Sequence, residues 1–179
     1  MSYFIYHHVP LNLTGTALRP LNRLKDTEPD LYEQNVQKYK GREGLLQSRV
    51  IGLNCLWNDV LHFSPVHPKE VSEALYTSGF GHLTSEWFEI DPSEHNFNRH
   101  NTTIFLHRPK KFNGYQAPDD EFESFELEKI AQYSSLPAET KNYFLDCQRE
   151  GKRPLIFCWV PHILFRGELN LSSLKKIRL

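Results

Sequence analysis

A chain of 179 residues with 39% hydrophobic and 24% charged residues has enough length and apolar content to bury a core, and its residue usage is that of a soluble globular protein. Lys+Arg total 21 and Asp+Glu 22, so the net charge of −1 excludes a bulk electrostatic pull toward nucleic acid or membrane, although not a local basic face. No run approaches the ~18 apolar residues of a membrane span, and the opening MSYFIYHHVPLNL lacks the pattern of a secretory leader, so the expected location is the cytoplasm.

In chain order, residues 3–9 are aromatic and β-branched, are stopped by Pro10, and read as a strand. Leu21, Leu24, Leu31, Val36 and Tyr39 then recur at helical spacing. Asp26 or Thr27 is placed to cap a helix whose first turn holds Glu28 and Pro29, and Gly41 follows its end. Residues 50–56 and 58–63 read as strand material around Trp57. Pro68 suits the first turn of a helix with Val71, Ala74 and Leu75 on one face and Gly79 as its stop. Residues 86–90 and 102–107 are two further strands, and Asn113-Gly114 marks a turn in the loop that follows.

Phe122, Phe125, Ile130 and Tyr133 predict one helix, and Tyr143, Phe144 and Cys147 predict another between Pro137 and Gly151. Residues 154–160 (PLIFCWV) read as a buried strand, and residues 163–165 continue extended before Arg166-Gly167-Glu168. Strands and helices mix without regular alternation, so the expected class is α+β, in a single domain over residues 1–179. Trp57, Trp87 and Trp159 are expected in the core. Cys55, Cys147 and Cys158 are too far apart for a cysteine-based metal site and read as buried thiols.

The chemistry must come from elsewhere. His62 and His67, like His95 and His100, are five residues apart, which does not put two imidazoles on one helix face, so no metal is expected. His62-Phe63-Ser64 and His82-Leu83-Thr84 match the short motif of two-histidine phosphoesterases, yet lie too close together to serve its two halves. Glycine-rich phosphate loops and a serine nucleophile elbow are missing.

Three segments carry a resemblance. Tyr6-His7 on the first strand is followed by Asn12-Leu13. The run from Asp59 to Phe63 ends in Ser64-Pro65-Val66-His67-Pro68 before a helix, and Val160-Pro161 follows a late apolar run. In this order they resemble the ADP-ribosyltransferase superfamily, and within it the DNA-modifying enzymes of the DarT type. The resemblance implies a split antiparallel sheet with flanking helices and NAD as substrate. It also implies transfer of ADP-ribose to a macromolecular acceptor, with nucleic acid and protein both open.

Carried over residue by residue, it implies His7, Tyr6, Asn12, His62 and Ser64 in the NAD cleft, with an aromatic such as Tyr76 or Phe63 stacking. The family's glutamate begins its late strand, where this chain reads Gly151-Lys152-Arg153-Pro154. Glu168, ahead of Glu150, is therefore the expected catalytic carboxylate beside His7. The alternative is a non-catalytic nucleotide-binding or protein-interaction module on the same scaffold. Each residue keeps a structural reading too: one of His7 and His8 must point inward on any strand, and Ser64-Pro65 can simply end a strand.

Overall fold

The computed structural model describes residues 3–41, 43–108, 117 and 119–179, so the expected Asn113-Gly114 turn lies outside the described residues. The chain runs β1 (Ile5–His8), β2 (Ala17–Leu18), α1 (Leu21–Thr27), α2 (Pro29–Val36), β3 (Arg49–Val50), β4 (Cys55–Leu56) and β5 (Leu61–Phe63). It continues through α3 (Pro68–Thr77), β6 (Glu86–Ile90), β7 (Thr102–Phe105), β8 (Phe122–Ser124), α4 (Ala138–Arg149), β9 (His162–Phe165), β10 (Leu169–Asn170) and β11 (Lys175–Arg178). With every strand pair antiparallel and helices set outside the sheets, the class is α+β. No helix among the described residues is long and apolar enough to cross a membrane.

The two larger sheets have the orders β1-β6-β11 and β5-β9-β7-β8. Among the described residues one isolated backbone bridge joins them. Tyr6 and Ser64 form an isolated bridge, with the Tyr6 amide donating to the Ser64 carbonyl at 2.8 Å and the Ser64 amide donating back at 2.9 Å. Beyond that bridge β1 and β5 are not laddered, so the sheet parts there.

Alternation along each strand decides what each face buries. Leu61 and Phe63 of β5, Ile163 and Phe165 of β9, and Ile5, Phe88 and Ile90 of the other sheet fill a core common to both sheets. The intervening positions face the other way. Leu164 and Phe105 pack with Val50, Leu53, Cys55 and Val60, beneath the β3–β4 hairpin. A third cluster joins Val71, Ala74 and Leu75 of α3 to Phe144 of α4 and to Val160. Phe63, Phe88 and Phe144 are almost wholly buried, each contributing on the order of 2 kcal/mol by leaving water.

Helix α3 follows the local signals. Pro68 opens it, the His67 ring accepts from the Lys69 amide at 3.0 Å, and Gly79 after its end has φ +90°. The helix expected after a cap at Asp26 or Thr27 starts at Pro29 as α2, with Glu28 (φ −144°) rather than either of them at its N-cap, and the separate α1 covers Leu21–Thr27. The Glu28 side chain turns away from capping and binds Thr14 and Arg19.

Two further expectations are corrected. Phe122 lies in β8, paired with Phe105, and residues 127–133 form a 3-10 helix. Residues 154–160 are no strand: the Cys158 amide bonds to the Leu155 carbonyl and the Val160 amide to the Phe157 carbonyl, while Trp159 adopts φ +67°. The late strand is β9, two residues further on. All three cysteines are free and buried.

Candidate functional site

Two hollows are of interest, one where the sheets part and one on the four-stranded sheet. The first, of about 190 Å³, is lined by His7 and His62 and by Asn58, Glu28, Arg19 and Lys38, among others. His7 donates from Nδ1 to the His62 carbonyl at 2.8 Å, and this contact ties β1 to β5 beyond the bridge. That bond fixes the tautomer and leaves Nε2 as an acceptor. Burial pushes the His7 pKa down to about 4 against the lesser opposing effect of that hydrogen bond, so the ring is neutral at pH 7.

Glu28 is the carboxylate of this pocket. Its Oε2 accepts from the Thr14 hydroxyl, and its Oε1 lies 3.3 Å from an Arg19 nitrogen. Arg19 also reaches Glu168, at 3.2 Å through Nε, so one guanidinium joins two carboxylates. Asn58, buried in the short turn before β5, contributes a side-chain Oδ1 with no hydrogen-bond partner among the described residues. A buried unpaired acceptor costs about 1–3 kcal/mol, and a ligand hydroxyl or amide would relieve it. Nothing in the sequence marked Glu28 or Asn58 as site residues: one looked like a first-turn helix residue, the other like the start of strand material.

The second hollow, of about 610 Å³, is lined by residues of β9, β7 and β8 and shares Lys38 and Tyr39 with the first. Its walls are Trp57, Phe105, Phe122 and Phe157, with His107 and His162. Register explains the grouping, since β9 pairs His162 with Phe105 and Leu164 with His62. His62 donates from Nε2 to the Trp57 carbonyl at 3.0 Å and packs 4.6 Å from the Trp57 ring. Burial pushes its pKa to about 4 as well.

His107 donates from Nδ1 to the Phe157 carbonyl at 3.0 Å and stacks on His162 at 5.0 Å. The pKa values of both are lowered, chiefly by burial. Four imidazoles, His7, His62, His162 and His107, thus form a neutral row across the parted sheet. Among the described residues no group of three or more His, Cys, Asp or Glu side chains is arranged to hold a metal ion.

The residues expected in the NAD cleft divide. His7 and His62 meet at the first pocket. Ser64 does not reach it: its hydroxyl donates to the Val66 carbonyl at 3.0 Å and accepts from the Val66 amide at 3.1 Å, closing its own turn. Tyr6 faces away from His7 and packs 4.8 Å from the His67 ring. Burial and the nearby Glu89 and Glu70 push its hydroxyl up to about 12.

Asn12 bonds Gln34 at 2.7 Å and borders a shallower neighbouring hollow. Tyr76 is 59% exposed and stacks on His82 at 4.1 Å, away from both pockets. Phe63 is buried in the core against His7. Glu168 borders a separate opening with Asn22, Arg23 and Asp59, and reaches the first pocket only through Arg19. Glu150 is paired with Lys152 at 2.6 Å beyond the end of α4.

The chain matches no family model, and neither a curated protein nor a solved structure matches it.

Proposed function

We propose that the chain binds NAD where its two sheets part and transfers ADP-ribose to a macromolecular acceptor. The observation that carries this reading is His7: a strand-borne imidazole, neutral, with Nδ1 committed to the neighbouring strand and Nε2 left to accept a hydroxyl. A ribose hydroxyl is such a donor. The parted antiparallel sheets also agree with the architecture that the resemblance implies.

In the reaction the C1′–nitrogen bond breaks, nicotinamide leaves with the bonding pair, and the acceptor's nucleophile bonds C1′ and gives up its proton. Positive charge develops on the ribose, so a carboxylate aimed at it lowers the barrier. Within the pocket that carboxylate is Glu28, coupled through Arg19 to Glu168. Incubation of the protein with NAD and either nucleic acid or cell extract is expected to release nicotinamide. Glu28→Gln is expected to slow that release more than Glu168→Gln does; the reverse order would return the role to Glu168.

One observation favours the non-catalytic alternative. Where the resemblance places a glutamate this chain reads Gly151-Lys152-Arg153-Pro154, and Glu28 is already neutralised by Arg19. A nucleotide-binding module would gain thermal stability from NAD without releasing nicotinamide. If saturating NAD shifts nothing, both forms of the reading fall.

A further inference from the structure

The second hollow has properties that the NAD reading does not use. His162 sits on its wall against Phe105, Phe157 and His107, and its ring makes no hydrogen bond among the described residues. Its neighbours differ: His107 is tied to the Phe157 carbonyl and His62 to the Trp57 carbonyl. A neutral imidazole carries one bare nitrogen and one N–H whichever tautomer it adopts, and on the half-buried His162 both are open to a partner from the pocket.

The pocket is firmly held. His107 has φ +47° and Trp159, next to the lining residue Cys158, has φ +67°, conformations that bulky side chains rarely adopt and that the surrounding packing must enforce. Trp57 stands edge-on to Phe105 at 5.3 Å, and Phe122 lies 5.2 Å from Phe105, so the walls are flat aromatic surfaces. At about 610 Å³ the space lies within the ~300–1,000 Å³ range of small-molecule sites, which join apolar walls to a few placed polar groups.

We propose that this pocket is a binding site for a small aromatic heterocycle whose ring N–H donates to the bare nitrogen of His162 while its faces rest on the Trp57, Phe105 and Phe157 side chains. The ligand is flat because the walls are aromatic, and its ring carries no positive charge because Lys38 and Arg49 also line the pocket. It needs a donor because an acceptor is waiting. The proposal does not rest on NAD binding at the first pocket, with which this one shares Lys38 and Tyr39.

Indole and 1-methylindole separate the donor from the ring. They share shape and aromatic surface, but only indole has an N–H. A pocket that is merely apolar prefers the methylated compound by about fourfold, through the extra buried methyl. A site built as described prefers indole by about tenfold, because 1-methylindole leaves His162 unpaired. Titration of the full chain by calorimetry, without NAD, reads this ratio directly.

His162→Phe is expected to abolish the preference for indole while retaining binding of 1-methylindole. As a check that needs no variant, the ¹⁵N resonances of the His162 ring are expected to move when indole is added and to stay when 1-methylindole is added. Equal or tighter binding of 1-methylindole, binding of neither compound, or unmoved His162 resonances with indole would each overturn the proposal.

Discussion

The two hollows share Lys38 and Tyr39 and are built on opposite principles. The first is polar: Glu28, Arg19, Thr14 and Asn58 line it together with His7, and Glu28 and Arg19 are already paired with each other. The second is aromatic, with His162 as its unengaged polar group among the described residues. The contrast teaches that one row of neutral histidines can serve two environments. What changes across the row is the partner of each ring. His7 is fixed by a hydrogen bond and presents a defined acceptor, whereas His162 is held by stacking alone.

The strongest way to break this contrast is His7→Ala. If the first pocket performs the chemistry, nicotinamide release falls at least about a hundredfold, roughly 3 kcal/mol of barrier, while the thermal shift caused by indole is unchanged. Equal loss of both responses would mean that the pockets are one site. Release unaffected by the substitution would remove His7 from the reaction.

The histidine row itself can be titrated. His7 and His62 have folded pKa values near 4 against an ordinary 6.5. Below pH 6.5 the unfolded chain takes up protons that the folded chain refuses until about pH 4, so stability is intact above that window and falls within it. Between pH 7.5 and pH 5 the loss is about 2 kcal/mol per histidine, visible as a lower urea midpoint. His62→Phe is expected to flatten the profile by one histidine's share; an unchanged profile would mean that His62 is not the buried neutral group described.

Asn58→Leu sharpens the polar side of the comparison. Removing a buried acceptor that has no partner among the described residues is expected to raise stability, by up to its cost of about 1–3 kcal/mol, and the thermal shift caused by NAD is expected to shrink. A large destabilisation with an undiminished NAD shift would make Asn58 a structural residue. The smallest effect belongs to Arg19→Gln. Its ion pairs with Glu28 and Glu168 are partly exposed, so the cost is below about 1 kcal/mol and fades with added salt. A denaturation series at low and high salt reads it.

Much of the framework was legible. β1, β6, α3 and α4 follow local pattern and capping chemistry, with Pro68 and Gly79 bounding α3 as their backbone preferences require. The misread segments are those where a distant contact outweighed the local pattern. Phe122 has helical spacing with Phe125 but pairs with Phe105 across the sheet. Residues 154–160 are apolar enough for a strand, yet their amides close turns that leave Phe157 on the pocket wall and bury Val160 beneath α3 and α4.

The candidate site was half legible. His7 and His62 stood out as polar rings on apolar strands, but Ser64 proved to satisfy itself within its turn, and Glu168 was reached only through Arg19. Local periodicity alone determined that this chain would make amphipathic helices and alternating strands, because spacing of 3.6 or 2 residues is written in the neighbours. Which histidines share a face was decided by pairing register, and where the sheets part was decided by the single Tyr6–Ser64 bridge. Register and bridging are contacts between residues far apart in the chain, settled by packing both sheet faces at once, and no local pattern encodes them.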